Sequence, residues 1–361
     1  MRQIKKRDNR VIDFDVAKII RAMEKAFAAC NVEISAEKLK DMTDMIVLEM
    51  DRKYPEQIPS VENVQNIVEF QIMTEGFYNV ARSYIIYRYE HTKVREEEKK
   101  EVLKKIEKEV LNITKRDGKK ESFDEAKVKA TLSRFITGYE ADINVNKIID
   151  QLKYEVYENI SSQEIRRALI MVVRSMIEID PAYSKVAARL LLDKIYKDVF
   201  GYDFDYKKLP ELHRKIFARN IKNAVEDGLL DKRMLDFDLT ELSKKFVLDN
   251  DRLFEYMGLE ILSSRYFMED PKTKLPIETP QMFWMRIAMG TSLIEKDKAK
   301  EKVVSDFYDV LSNFYYTPGG RTLFQAGAIK AQLSNCFLNT VPDSLDGIFK
   351  TFADNAQYLK W

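Results

Sequence analysis

KKRDNRVIDFDVAKI, residues 5–19, returns as TKRDGKKESFDEAKV, residues 114–128. Lys6, Arg7, Asp8, Phe14, Asp15, Ala17 and Lys18 recur as Lys115, Arg116, Asp117, Phe123, Asp124, Ala126 and Lys127, at a constant offset of 109. A period of that length is domain-sized and marks a duplicated unit rather than a solenoid. Both copies predict the same elements. A short strand enters a polar turn, Asp8-Asn9 or Asp117-Gly118, and a second strand leaves it, which is a hairpin signal. Asp15 or Asp124 then stands where a helix N-cap belongs. Apolar residues follow at helical spacing: Ile19, Ala22, Met23, Ala26 and Phe27 in the first copy, Val128, Leu132, Phe135 and Ile136 in the second. A helix pair closes each copy. The first runs from Val61 to Ile85 with a break near Gly76. The second runs from Ile165 to Leu191 with a break at Asp180-Pro181, where Pro181 suits a first helical position.

Outward from the repeats, KVREEEKKEVLKKIEKEV, residues 93–110, reads as a solvated connecting helix. Beyond Leu209, helical patterns cover 210–228, 238–267 and 279–316, with Thr279-Pro280 as cap and first helical residue. TPGGRTLFQAG, 317–327, is glycine-rich in a glycine-poor chain and reads as a strand. QLSNCFLNTV, 332–341, reads as a short buried strand, and 344–359 as a final helix.

Composition narrows the function classes. The 361 residues suggest two or three domains. Lys and Arg number 60 against 59 Asp and Glu, so no basic surface is available for bulk nucleic-acid binding. With 45% hydrophobic and 33% charged residues the chain is globular, and 11 Gly with 9 Pro point to a helix-rich fold. There is no apolar run of membrane-spanning length. The start, MRQIKKRDNR, has no apolar segment of a signal peptide, so a cytoplasmic protein is expected. Cys30 and Cys336 cannot build a disulfide framework or a structural zinc site, and His91 and His213 cannot build a multi-His one, so no metal ligands are assigned.

The repeated turn has a chemical reading. Arg offers a bidentate fork, Lys a point charge and a helix N-terminus backbone N–H groups, the donors a polyphosphate needs. A charged surface turn would explain one such segment. Recurrence of seven residues in register favours a built site.

Both copies resemble ATP-cone domains, the nucleotide-sensing module found mainly at the N-terminus of ribonucleotide reductase large subunits. The resemblance rests on Lys115-Arg116-Asp117-Gly118, Phe123-Asp124, Lys127 and Ala187-Ala188-Arg189. In the first copy it rests on Lys6-Arg7-Asp8-Asn9, Phe14-Asp15, Lys18 and Val80-Ala81-Arg82. Asn9 replaces the usual Gly, and Asn tolerates a left-handed turn. The resemblance implies that Lys6, Arg7, Lys18, Lys115, Arg116 and Lys127 contact phosphates of ATP or dATP as allosteric effectors.

Cys336 on its own reads as a small core hydrophobe. Its surroundings are similar to the first strand region of the reductase barrel. There the matching Cys is one of two redox-active thiols, which implies that role for Cys336. Thr322 matches a residue contacting substrate phosphate, and Ser334 and Asn335 would line that pocket. Two electrons are needed to remove a 2′-hydroxyl, and a dithiol becoming a disulfide delivers them. Asp343 precedes an ordinary N-cap signal. In the family, an Asp at its spacing from the redox Cys binds the ribose of the specificity effector. The helix after it, through Ile348, Phe349, Phe352 and Leu359, fits either a dimer interface or ordinary core.

The expected fold is mainly α with small β-hairpins. It divides into a first ATP-cone at 1–95, a charged linker helix at 96–112 and a second cone at 113–204. A helical reductase domain follows at 205–312, then the incomplete opening of a ten-stranded α/β barrel at 313–361. The family's radical cysteine and second redox cysteine have no match, so the chain is expected to be an N-terminal portion, inactive alone. The resemblance implies as partners the remainder of the catalytic subunit, a second copy as homodimer, and thioredoxin or glutaredoxin as reductant. It implies adenosylcobalamin or a small metal-containing radical-generating subunit as radical source. The Pro318-Gly319-Gly320-Arg321 sequence leans toward cobalamin. The alternative is a non-enzymatic ATP/dATP sensor. Cone-bearing regulators carry a four-cysteine zinc ribbon, which is absent here.

Overall fold

Polar turns and apolar spacing set the first elements. The computed structural model describes residues 3–5, 11–55, 57–108, 110–115, 118–295 and 299–360, with backbone alone at 91–96, 98 and 299. β1 (Gln3–Lys5) pairs antiparallel with β2 (Val11–Asp13), Ile4 opposite Ile12. β3 (Asn112–Thr114) pairs likewise with β4 (Lys120–Ser122). Gly118, at φ +78°, takes the left-handed position of that second turn, where a Cβ would be strained. A third element joins each hairpin. β5 (Ile160–Ser161) runs parallel to β3, Ile113 beside Ile160. In the first repeat a parallel bridge between Lys5 and Ser60 corresponds to it, Lys5 N donating to Pro59 O at 2.9 Å. Elements this short carry no periodicity, so the sequence showed only the hairpins.

The helices are α1 (Val16–Ala29), α2 (Ala36–Lys53), α3 (Val61–Thr74), α4 (Tyr78–Glu107), α5 (Glu125–Phe135), α6 (Val145–Glu155), α7 (Ser162–Ser175) and α8 (Ala182–Phe200). They continue as α9 (Leu209–Glu226), α10 (Leu239–Ser243), α11 (Tyr256–Arg265), α12 (Pro280–Thr291), α13 (Ala299–Ser312), α14 (Gly320–Gln325) and α15 (Leu345–Lys360). The chain divides into two compact units, Met1–Asp124 with Asp150–Ile165, and Glu125–Ile149 with Arg166–Trp361. The division runs through the second repeat, whose hairpin belongs to the first unit and whose helix α5 belongs to the second.

In the first unit, α1 buries Ile19, Met23, Ala26 and Phe27 against α2 and α4. α2 supplies Leu39, Met42, Ile46 and Met50, and α3 supplies Val64, Ile67, Val68 and Ile72. Each set follows the three-to-four-residue spacing of one helix face. Asp15 caps α1, its side chain accepting from Ala17 N at 3.0 Å. Ser60 and Asn63 form a capping box on α3, and the Ser161–Glu164 pair repeats that device at the start of α7. α4 has neither Gly nor Pro, and it continues unbroken through the charged stretch for 30 residues.

In the second unit, α8 is buried nearly all round and packs on α11 and α5. α12 is buried from Pro280 to Gly290 and packs on α13. Pro181 takes helical dihedrals, φ −58° and ψ −25°, at the start of α8, and the Asp180 side chain caps that end by accepting from Ala182 N at 2.8 Å, as expected of a first helical proline. Other expectations need correction. The 238–267 pattern divides into α10, a 3-10 turn at Leu248–Leu253, and α11. Asp238 caps α10 by accepting from Thr240 N and Glu241 N, and polar Asp249-Asn250-Asp251 favours a turn over a long helix. The 279–316 pattern ends its first helix at Ser292, whose hydroxyl donates back to Ala288 O at 2.8 Å.

The 317–341 region departs furthest from expectation. Thr322 lies on the short helix α14, not on a strand. Residues 332–341 form no strand, since none of the described strands lies alongside to take their N–H and C=O groups. Phe337 and Leu338 are exposed rather than buried. α15 buries no residue, so its apolar stripe is not core within these residues.

Candidate functional site

The repeated cationic turns come first. Lys6, Arg7 and Arg116 lie outside the described residues. Lys18 is exposed in the first turn of α1. Arg21 is beside it, with Nη2 3.7 Å from Asp15 Oδ2. The N-terminus of α1 carries no acidic residue in its first turn, and the Asp15 carboxylate at the cap occupies that end. Lys115 is exposed just past β3 and pairs with Glu121 across the hairpin at 2.6 Å. Gly118 N donates to Lys115 O at 3.0 Å and closes that turn. Lys127 is exposed in the first turn of α5. Lys115 is in the first unit and Lys127 in the second.

Arg189, from the Ala-Ala-Arg signature, has a structural task. Its Nη1 donates to Phe135 O at 2.8 Å and Thr137 O at 2.7 Å, and the guanidinium stacks over Tyr139 at 5.0 Å. A cation thus satisfies the carbonyls that end α5. Arg82, its counterpart, is exposed on α4.

The second site candidate runs from Gly319 to Asp343. Thr322 Oγ1 donates to Leu333 O at 3.0 Å, and Asn335 Oδ1 accepts from Arg321 N at 2.7 Å. A Cβ on Gly319 would stand 2.0 Å from Asn335 Nδ2, so only glycine permits this approach. Thr322 and Asn335 are thereby brought together, and exposed Ser334 sits between the two contacts. Cys336 follows as a free, exposed thiol. Beyond it the chain folds back along α15. Phe337 stacks on Tyr358 at 4.7 Å, and Asn339 Nδ2 donates to Asn355 Oδ1 at 2.6 Å. Asp343 is exposed before α15, and the cap itself is Ser344, whose Oγ accepts from Gly347 N at 3.1 Å.

Two buried polar clusters in the second unit escaped the sequence reading. Asp251 accepts from Tyr196 OH and from Gln281 Nε2 at 2.5 Å, while Tyr308 OH donates to Gln281 Oε1. Burial pushes the Asp251 carboxyl up to about 7 and raises the Tyr196 hydroxyl well above its usual range. Nearby His213 rests edge-on against Tyr196 and Phe200, and burial lowers it to about 4. The other cluster centres on Arg286 and Glu278, paired at 2.5 Å. One signal was available: Arg286 is the single charge in the run MFWMRIAMG, residues 282–290.

A cleft of about 340 Å³ lies elsewhere in the second unit, lined by Asp198, Arg219, Asn220, Asn223, Asp227 and Asp270 among others. It includes none of the residues expected from sequence. Among the described residues no three His, Cys, Asp or Glu side chains converge as metal ligands. No helix among them is long and apolar enough to cross a membrane.

Comparison with known proteins gives family matches over three stretches of the chain. Residues 2–93 and 111–198 each match the ATP cone domain family. Residues 252–330 match the family described as ribonucleotide reductase, all-alpha domain. The ribonucleoside-diphosphate reductase subunit alpha of Chlamydia trachomatis is 37% identical over 97% of this chain and 34% of its own length. The subunit of the same name from Helicobacter pylori is 30% identical over 70% of this chain and 31% of its own length. That of Treponema pallidum is 27% identical over 95% of this chain and 39% of its own length. The chain thus spans about a third of the length of the curated relatives it matches.

Proposed function

This chain belongs to the ribonucleotide reductase large-subunit family, and we propose that it is the N-terminal part of a catalytic subunit that reduces ribonucleotides to deoxyribonucleotides. The observation that carries the reading is domain order: two ATP cones, then the reductase all-alpha domain, in one chain. In this reading the first cone spans 1–95, a linker helix 96–112 and the second cone 113–204. The helical domain spans 205–312, and 313–361 opens the catalytic barrel.

The cones set overall activity. Lys6, Arg7 and Lys18 in one, and Lys115, Arg116 and Lys127 in the other, hold the phosphates of ATP or dATP. The two nucleotides act oppositely if each favours a different assembly state, which is a coupling free energy between sites. Asp343 reads the ribose of a second effector that sets specificity.

At the substrate, Thr322 takes the phosphate through its hydroxyl, and Ser334 and Asn335 line the pocket. Cys336 supplies one of two thiols. When the C2′–O bond breaks, the hydroxyl leaves as water. The two thiols give up two electrons and two protons and close into a disulfide, which thioredoxin or glutaredoxin then reduces. The mate of Cys336 and the cysteine that carries the thiyl radical belong to the remainder of the subunit. This chain alone is therefore inactive. Adenosylcobalamin or a small partner subunit with a metal centre would supply the radical chemistry, and no residue of this chain is assigned to hold it. The working assembly is a homodimer in the cytoplasm.

The test uses the intact polypeptide that contains this chain, with a thioredoxin-class reductant. Cys336→Ser is expected to abolish multiple turnover while ATP binding persists. Undiminished turnover would sink the assignment of Cys336. A mass of about 42.4 kDa for the polypeptide from its native cell would instead favour a nucleotide sensor or a separately encoded partner.

A further inference from the structure

Arg286 is 1% exposed on a helix whose residues from Pro280 to Gly290 are all buried. Its guanidinium meets Glu278 at two points, Nε to Oε1 at 2.5 Å and Nη2 to Oε2 at 3.2 Å. Glu278 in turn accepts from Met268 N at 2.9 Å. The remaining donors go to backbone carbonyls: Ala326 O at 2.8 Å, Leu323 O at 3.4 Å and Tyr266 O at 3.4 Å. Two of these carbonyls end α14, the short helix that carries Thr322. One turn along α12, a Cβ on Gly290 would lie 2.2 Å from Gly327 N and 2.4 Å from Ala326 C. Glycine at 290 is what lets the two backbones meet.

A buried ion pair is a poor way to gain stability, because desolvating both ions cancels most of their attraction. Apolar side chains of equal volume would fill this space as well. They could not fix carbonyl directions, which a planar fork of five donors does.

We propose that Arg286, held by Glu278, is a positioning residue for the segment that binds substrate phosphate. It fixes the carbonyls of Leu323 and Ala326 and thereby the course of α14, which carries Thr322 to the place where its hydroxyl meets Leu333 O. Through the Arg321 N to Asn335 Oδ1 bond the same anchor places the approach to Cys336. Arg286 itself touches no substrate. The proposal rests on the reading of Thr322 as a phosphate contact.

Two readouts test it. In this chain, hydrogen exchange is compared for wild type, Arg286→Met and Arg286→Lys. Arg286→Met should speed exchange at the hydrogen-bonded amides of 321, 323, 326 and 332 at least tenfold while α9 and α13 stay unchanged. Lys, which keeps the charge but loses the fork, should fall between, and it carries the test if the Met variant does not fold. Unchanged exchange at those amides, or equal acceleration through α9 and α13, overturns the proposal, since Arg286 would then be core alone. In the intact reductase, Arg286→Met should raise KM for the ribonucleotide about tenfold, with kcat changed less than threefold and ATP affinity unaltered. A mobile segment with unchanged KM also overturns it. An intact wild-type protein inactive on every ribonucleotide overturns the underlying reading of the site, an outcome independent of any Arg286 variant.

Discussion

Asp251 and His213 are both buried in the second unit, and they titrate in opposite senses. Folded His213 ionises near 4 against an ordinary 6.5, so between those values only the unfolded chain takes up the proton. Its contribution is complete above 6.5 and is lost as pH falls through about 4. Folded Asp251 ionises near 7 against 3.8, so in its window only the folded chain holds the proton. Its contribution is complete below about 3.8 and is lost as pH rises through about 7. Each slope is about 1.4 kcal/mol per pH unit, and between pH 4.5 and 6.5 they cancel. Asp251→Asn should leave stability rising with pH across that window, and His213→Phe should leave it falling. Urea unfolding at three pH values reads this directly, and parallel profiles for the two variants would refute it. At the same scale, charge-assisted phosphate contacts contribute about 1.5–3 kcal/mol each. Lys127→Met should therefore weaken ATP binding roughly ten- to a hundredfold by calorimetry, and Arg116→Ala should abolish it in the second repeat. Unchanged affinity would remove those residues from the site. Both hairpins were legible because they are written twice. Arg286 and Asp251 were not, since a single polar residue in an apolar stretch shows its partners only after folding.

Among elements, α8 bears several loads at once. Arg189 grips the end of α5, and Tyr196 reaches Asp251 in the turn before α11. Tyr196→Phe leaves a buried carboxyl short of a donor, an expected loss of about 1–3 kcal/mol, read as a lower denaturant midpoint with unchanged slope. Gly118→Ala forces a side chain into the left-handed region at φ +78° and should cost the hairpin about 1–2 kcal/mol. Helices with clear apolar spacing, such as α1, α3 and α9, were legible from sequence. Strand character at 332–341 was misread for a physical reason. A strand is defined by a neighbour that takes its backbone groups, and none of the described strands lies beside it. The 238–267 pattern was read as continuous because spacing reports which residues are buried, not where the 3-10 turn at Leu248–Leu253 interrupts the helix.

For the whole molecule, α15 is the plainest unfinished surface. Leu345 is 75% exposed, Phe349 68% and Leu359 89%. Contiguous apolar area of this kind marks an interaction face. Phe349→Asp with Phe352→Asp should leave the melting of this chain unchanged, because α15 buries nothing here. In the intact protein the pair should convert the proposed dimer to monomer in sedimentation velocity. A dimer that survives would place its interface elsewhere.

The duplication, the hairpins, the capped helices and the family itself were determined by the sequence alone. Repetition, period and turn chemistry are local properties, and local properties are written in order along the chain. Tertiary structure alone decided that Thr322 lies on a helix and Cys336 on an exposed loop. It alone showed a third strand joining the second hairpin, a single parallel bridge in that place in the first, and a buried arginine holding the Thr322 segment by its carbonyls. Those outcomes depend on which backbone groups meet across long sequence separations. No spacing rule within one segment records that.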